Sequence, residues 1–310
     1  MKPYVIGIDM GGTNTVFGIV DARGVVIASS SIKTAKHNNF DDYIDELHEE
    51  LTRLVKANDA EGKVHGIGIG APNANYYTGE ITDGVNLPWP TPIPLARKIE
   101  EKFGIPCAIT NDANAAAIGE MTYGAARGMK DFIMITLGTG VGSGIVINGA
   151  VVYGHDGFAG ELGHMIVKRT NGRLCGCGRA GCLEAYCSAT GVARTAREFL
   201  EIRNEPSLLR NIPIDEITSK DVYDAAIAGD KIAKEIFEYT GTILGEAMAD
   251  MTVFSSPQAF ILFGGLAKSG ELLMRPLREA MNRSMLSIFK GKPKVLLSEL
   301  KDADAAILGA

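Results

Sequence analysis

The sequence predicts an α/β protein built as two lobes, and three observations carry that prediction. Its 310 residues, 46% of them hydrophobic and 22% charged, suffice for two ordinary hydrophobic cores and show no bias toward disorder. Strand-like runs alternate with helix-like ones, the pattern of partly parallel sheets covered by helices. A strand, a Gly/Thr turn and a returning strand over 4–20 recur over 132–147, where an offset of 126 residues lays Gly12 on Gly138, Thr13 on Thr139, Gly18 on Gly144 and Ile19 on Ile145. Either one supersecondary unit is used twice, or two Gly-rich apolar hairpins coincide.

The elements follow in order. After the first hairpin, Phe40, Tyr43, Ile44, Leu47, Leu51, Leu54 and Val55 share one face at helical spacing, with Asn38 or Asn39 as cap. An apolar strand over 65–71 leads into a Pro/Gly-rich loop over 72–94, long enough to carry ligand contacts. Pro94 opens and Gly104 closes a short helix. The strand 107–110 then delivers Asn111 and Asp112 to the start of an Ala-rich helix. These signals put a small lobe at 1–112 and a large one at 113–298. The large lobe holds the second hairpin, a Gly/Cys-rich stretch, a long helix from about Lys231 to Phe254, a buried strand over 259–263 and a helix from Ser269 onward. The terminal run, about 299–310, reads as a helix packing back on the small lobe.

Charge narrows the partners. With 31 Lys and Arg against 37 Asp and Glu, the formal charge of -6 offers no general attraction to nucleic acid or an anionic membrane, so anions must be caught locally. The apolar start, Tyr4 to Ile8, is broken by Asp9 and a Gly pair, too short for a signal or a span. The expectation is a cytoplasmic protein with no membrane and no nucleic-acid partner.

In both hairpins a strand ends in small residues, so backbone N–H groups can approach an anion, with Thr hydroxyls as added donors. A plain structural turn is the rival reading for each. Neither turn is a P-loop or a dinucleotide fingerprint. Asp9, a carboxylate ending a buried strand beside such a turn, calls for a cation, and Mg²⁺ fits. Gly264 and Gly265, between a strand and a helix, offer flat backbone on which a nucleoside can lie.

Three of the five cysteines, Cys175, Cys177 and Cys182, fall within eight residues, with His164 eleven residues upstream. Three thiolates and an imidazole make a closed tetrahedral zinc set. Redox use is the rival, without the thioredoxin-like neighbourhood it needs. Glu161 and Glu184 flank this loop, either as acids held for sugar hydroxyls or as solvated surface groups.

Together Asp9-Met-Gly-Gly-Thr13, Leu137-Gly-Thr-Gly140, Glu161-Leu-Gly-His164, the block from Cys175 to Glu184 and Phe263-Gly-Gly265 resemble the ROK family of sugar kinases and repressors, in the family's order and over nearly the whole chain. The resemblance implies a two-lobed ribonuclease H-like ATPase fold, of the hexokinase, actin and Hsp70-like superfamily, with ATP and a hexose meeting between the lobes. It implies that Gly11, Gly12, Thr13 and Asn14, with Gly138, Thr139 and Gly140, hold the ATP phosphates. Gly264 and Gly265 then lie near the nucleoside and Asp9 near Mg²⁺. Asp112 matches the catalytic base, while Asn111, Asp112, Glu161, His164 and Glu184 match sugar contacts. His164 would serve zinc with one ring nitrogen and sugar with the other.

Position alone also allows Asp112 an ordinary helix cap. A strand end at a helix start equally suits a base that draws the proton from a hexose 6-hydroxyl. Family repressors carry a helix-turn-helix ahead of the kinase-like part. Here the first turn begins within a dozen residues of the start, which leaves the sugar-responsive regulator a minor option. The loop 70–89 is most similar to that of bacterial glucose-phosphorylating members. Kinases of N-acetylmannosamine, N-acetylglucosamine, fructose and allose share the other motifs. Tyr76, Tyr77 and Trp89 either stack on a sugar face or pack the loop, and a homodimer is the family's usual assembly.

Overall fold

The structure, a computed structural model, describes residues 3–82, 87–300 and 307–310. Asn86, and most of the run read as a C-terminal helix, lie outside the described residues.

The chain forms two compact units. The first comprises 1–130, 144–160 and 299–310, the second 131–143 and 161–298. Strands β1 (Tyr4–Met10), β2 (Asn14–Asp21) and β3 (Val26–Lys33) form an antiparallel meander, followed by helix α1 (Phe40–Ala57) and strand β4 (Val64–Gly70). The minimal strands β5 (Ala74–Asn75) and β6 (Glu80–Ile81) pair with each other, so the long loop contains a small hairpin, and Ile81 also bridges Ile93. Helix α2 (Leu95–Phe103), strand β7 (Cys107–Thr110) and helix α3 (Asp112–Tyr123) follow. The first sheet has the order β3-β2-β1-β4-β7, with β4 parallel to β1 and β7.

Strands β8 (Phe132–Leu137), β9 (Val141–Ile147) and β10 (Ala150–Val151) repeat the meander. Four helices come next: α4 (Glu184–Cys187), α5 (Ala189–Ile202), α6 (Ser219–Ile227) and α7 (Lys231–Ser255). Strand β11 (Ala259–Phe263), helix α8 (Glu271–Ser284) and strand β12 (Lys294–Leu297) follow, and 307–309 are helical. The second sheet has the order β10-β9-β8-β11-β12, with β11 parallel to β8 and β12. This is the topology of the first sheet again, so the recurring hairpin is a repeated unit. The repeat is inexact at the turn. Burial along β2 from Thr15 matches β9 from Val141, at the offset read from sequence. The first strands end one residue out of step with that offset, at Met10 and Leu137, and the first turn closes Gly11 on Asn14 where the second closes Gly138 on Gly140, so Asp9 has Thr136 as its counterpart.

Alternation along β1 buries Ile6, Ile8 and Met10 in the first core, where they join Phe17, Tyr43, Leu47, Leu51, Ile69 and Trp89. Burying each such side chain contributes about 1.5–3 kcal/mol. Helix α1 is capped by Asn39, whose side chain accepts the Asp41 N–H, and it buries Tyr43, Ile44, Leu47 and Leu51. Pro94 and the left-handed Gly104 bound α2. In the second unit Gly241 and Gly245 of α7 let α8 approach so closely that a Cβ on Gly245 would lie 2.2 Å from the Leu277 carbonyl oxygen.

The division of the chain departs from 1–112 and 113–298. Helix α3 and residues 144–160 cluster with the first unit, although β9 and β10 stay hydrogen-bonded in the second sheet: α3 packs on β4, and a Cβ on Gly144 of β9 would lie 2.8 Å from the Ala113 carbonyl oxygen. The C-terminal residues also pack there. Ile307 lies over Gly7 and Gly18, Ala310 over Gly68, and Gly309 against the Ala115 carbonyl of α3. Among the described residues no helix is long and apolar enough to cross a membrane.

Candidate active site

In the first unit, Asp9 and the turn after it share one end of the sheet with Asp112. Asp9 pairs with Gly70 of β4, and Gly70 with Thr110 of β7, so all three stand at the carboxyl ends of adjacent strands, where ligands of open α/β sheets bind. Two residues beyond Thr110, Asn111 caps α3 by accepting the Ala113 N–H at 2.8 Å. The cap is therefore Asn111, and Asp112 is the first helical residue, its own Oδ1 also 2.8 Å from that N–H. The Asp112 residue is open to solvent, yet protein atoms crowd its carboxylate on most sides. That crowding raises its pKa, opposed in part by the Ala113 N–H. Asp9 rises to about 6, first through burial and then through the charge of Asp112. Two carboxylates so placed repel each other, and a divalent cation relieves both.

The turn between β1 and β2 closes through the Gly11 N–H, which donates to the Asn14 carbonyl at 3.0 Å. The N–H groups of Gly12 and Thr13 donate to no acceptor among the described residues. Two consecutive outward amides beside the Asp9 carboxylate form an anion cradle with a place for a cation next to it.

The second unit holds the matching turn. There the Gly138 N–H donates to the Gly140 carbonyl at 3.1 Å, and the Thr139 and Gly140 N–H groups likewise find no acceptor among the described residues. Gly138 has open space where a Cβ would stand, whereas a Cβ on Gly140 would lie 2.4 Å from Glu184 Oε2. That carboxylate accepts the Val141 N–H at 2.9 Å, which ties it to the turn. Gly264, at φ +102°, abuts the Leu137 carbonyl, so the third glycine pair stands beside this turn. Gly265 lines an open cavity of about 390 Å³ with Ser219, Lys220, Tyr223 and Lys268. Tyr223 and the residues around it carry no motif, and sequence reasoning missed them.

His164, Cys175, Cys177 and Cys182 come together, their ligand atoms all within 4.8 Å of one another. Cys177 Sγ lies 3.7 Å from Cys182 Sγ, and Cys175 Sγ 3.8 Å from His164 Nδ1. A tetrahedral zinc site with bonds of about 2.3 Å has edges of about 3.8 Å, so these residues fit the ion. Nδ1 is the nitrogen turned to the cluster, which leaves Nε2 for another partner. Burial pushes the Cys175 thiol up to about 12 without a metal, a cost that a divalent cation offsets. All five cysteines are free thiols. Cys187 is buried, and Cys107, on the edge strand β7, is half-buried and packed against the first core.

The Glu161–His164 segment docks on β9. The Leu162 N–H donates to Ser143 Oγ at 3.1 Å, and a Cβ on Gly163 would lie 2.0 Å from the Val141 carbonyl oxygen. Glu161 is exposed. The thiol loop is anchored from behind by Arg173, a buried cation that sequence reasoning also missed. It pairs with Glu198 at 2.5 Å, donates to the Ala185 carbonyl and lies over the Tyr186 ring.

The aromatic residues of the long loop divide. Trp89 is core: 4% exposed, packed on Phe40 and Tyr43, its Nε1 donating to the His37 carbonyl at 3.1 Å. Tyr76 is exposed and stacks on Tyr153 at 4.3 Å, and the Tyr77 hydroxyl donates to the Gly154 carbonyl.

Comparison with known proteins identifies the family. The ROK family model matches residues 5–310. The chain is 36% identical to the glucokinase of Halalkalibacterium halodurans over 285 residues, 89% of this chain and 84% of the other. It is 34% identical to the glucokinase of Thermotoga maritima over 100% of this chain and 96% of that one. Among solved structures it is similar to a ROK family glucokinase from Streptomyces griseus in complex with glucose and AMPPNP. The two share 34% identity with a TM-score of 0.79, over 99% of this chain and 97% of that one. A two-sheet α/β fold, paired glycine turns and a thiol–imidazole cluster, matched by the family model almost end to end, leave one conclusion: the chain belongs to the ROK family.

Proposed function

We propose that the chain transfers the γ-phosphoryl group of ATP to the 6-hydroxyl of a hexose, with glucose the preferred sugar. The observation that carries the reading lies within the first unit: two mutually repelling carboxylates, Asp9 and Asp112, stand beside a turn with two amides that find no acceptor among the described residues. A phosphate–cation pair satisfies all of them at once. The glucokinase relatives, and the glucose and AMPPNP held by the Streptomyces griseus enzyme, support the same substrates.

In this reading Gly12 and Thr13, and in the second unit Thr139 and Gly140, receive phosphate oxygens through their N–H groups. Gly264 and Gly265 lie by the nucleoside, with Tyr223 in the cavity wall. Mg²⁺, when bound, neutralises phosphate charge, and Asp9 is the residue that would hold it. Asn111, Glu161, His164 and Glu184 orient the sugar, and Asp112 accepts the proton of the attacking hydroxyl. Phosphoryl transfer asks the protein for alignment and charge neutralisation more than for covalent chemistry. Zinc would hold His164 and the thiol loop in place and take no part in the transfer. A homodimer and a cytoplasmic location belong to the same proposal, the latter supported by five free cysteines in keeping with a reducing compartment.

The test is a hexose panel with ATP and Mg²⁺, reading kcat/KM for glucose, mannose, fructose, allose and the N-acetyl sugars. Glucose is expected to lead. Absence of phosphorylation across the panel would overturn the proposal.

A further inference from the structure

The phosphate turn of the second unit does not hold its shape alone. Its carbonyl side is occupied by one short segment. The Ala189 N–H donates to the Gly138 carbonyl at 2.8 Å, the Thr190 hydroxyl donates to the Thr139 carbonyl at 2.9 Å, and Glu184 takes the Val141 N–H just past the turn. With both carbonyls turned toward this segment, the Thr139 and Gly140 amides are left on the other side.

The segment is itself braced. Ser188 caps α5 by accepting the Gly191 N–H at 3.0 Å, donates to the Glu184 carbonyl at 2.7 Å and touches the Thr190 hydroxyl at 2.9 Å. It begins two residues after Cys182, and Glu184 Oε1 lies 3.5 Å from Cys175 Sγ. Each end of the clamp therefore meets either the thiol loop or the turn.

We infer that Thr190 is a positioning residue for the Gly138–Gly140 phosphate turn, and that the 184–190 clamp makes nucleotide affinity depend on an ordered thiol loop. The family motifs give Thr190 no role, and Glu184 only a sugar contact. The inference rests on the reading that this turn receives phosphate.

Thr190 is exposed, so Thr190→Val removes one hydroxyl with little effect on packing. Isothermal titration of the zinc-loaded protein with AMPPNP and Mg²⁺, without sugar, is the measurement. Losing one hydrogen bond that orients the turn is expected to weaken binding about tenfold. Thr190→Ser is expected to restore it, and glucose affinity to stay at the wild-type value. Stripping the metal with a chelator is expected to weaken AMPPNP binding as well, with recovery on adding zinc. An unchanged AMPPNP affinity in Thr190→Val, or in the stripped protein, would overturn the inference while leaving the kinase reading intact. Failure of the wild-type protein to bind AMPPNP would overturn the phosphate-turn reading, and the inference with it.

Discussion

Asn111 and Asp112 share one donor: the Ala113 N–H lies 2.8 Å from the side-chain oxygen of each. Asn111 has the extended backbone of a cap and performs that task, so Asp112 is not needed to start the helix. Asp112→Asn should accordingly fold, bind nucleotide and lose sugar phosphorylation by about 10²–10⁴-fold, the range of a general base. A coupled ADP-release assay measures it. Because the surroundings raise the Asp112 pKa, wild-type turnover should fall with acidification at a higher pH than an ordinary aspartate would give. The residual activity of Asp112→Asn should lack that limb.

Asp9 gives a prediction of opposite sign for stability. Its pKa is about 6 in the folded protein against 3.8 in a model peptide, so the folded state binds more protons between those values and stability falls as pH rises through them. Without ligand, Asp9→Asn should raise Tm at pH 7.5, the gain shrinking below pH 6 and vanishing near 3.8. The same variant should lose Mg²⁺-dependent turnover. A Tm below wild type at pH 7.5 would contradict the assignment of burial and like-charge repulsion.

Gly138 and Gly264 separate function from folding. A methyl group at Gly138 meets no atom within 4 Å, so Gly138→Ala should keep the wild-type Tm while weakening AMPPNP binding about tenfold. At Gly264 the positive φ and the Leu137 carbonyl 2.5 Å away leave no such room, and Gly264→Ala should lower Tm as well. Differential scanning calorimetry beside nucleotide titration distinguishes the two.

Zinc should be present at one ion per chain by elemental analysis, and its removal should lower the Tm reversibly, since a four-ligand site contributes directly to folding. Cys177→Ser should do the same although Cys177 is exposed. Full activity in a preparation free of metal would refute the site.

Trp89, the only tryptophan, reports on the first core. Trp89→Ala should cost about 3–5 kcal/mol, and Trp89→Phe less, with the KM for glucose unchanged in any fraction that stays folded. A selective rise in that KM would return Trp89 to the sugar.

Most of the proposed site was legible because it is written in residues with few alternative uses. Glycines before a turn, a trio of cysteines and an acid at a strand end each point to chemistry without knowledge of the fold. What stayed hidden depends on who touches whom. Arg173, Thr190 and Tyr223 are ordinary residues whose partners lie far along the chain. The choice of Asn111 over Asp112 as cap turns on backbone angles that both residue types accept. The small lobe's expected end at 112 differs from the division into units because an Ala-rich helix has no face to betray which sheet it covers; Gly70 and Gly309, both close against Ala115, tie α3 to the first unit. The offset between the hairpins held for the returning strands and slipped by one in the first, since Gly and Thr strings align more readily than strand ends.

The first unit is assembled from three stretches, the last of them 299–310, whose Ile307 and Ala310 fill spaces kept open by Gly7, Gly18 and Gly68. During synthesis this unit, though begun first, would wait for its final pieces until the other had left the ribosome. A chain cut after residue 298 and free of the ribosome would carry a bare glycine trough on its first sheet, open to proteases and chaperones.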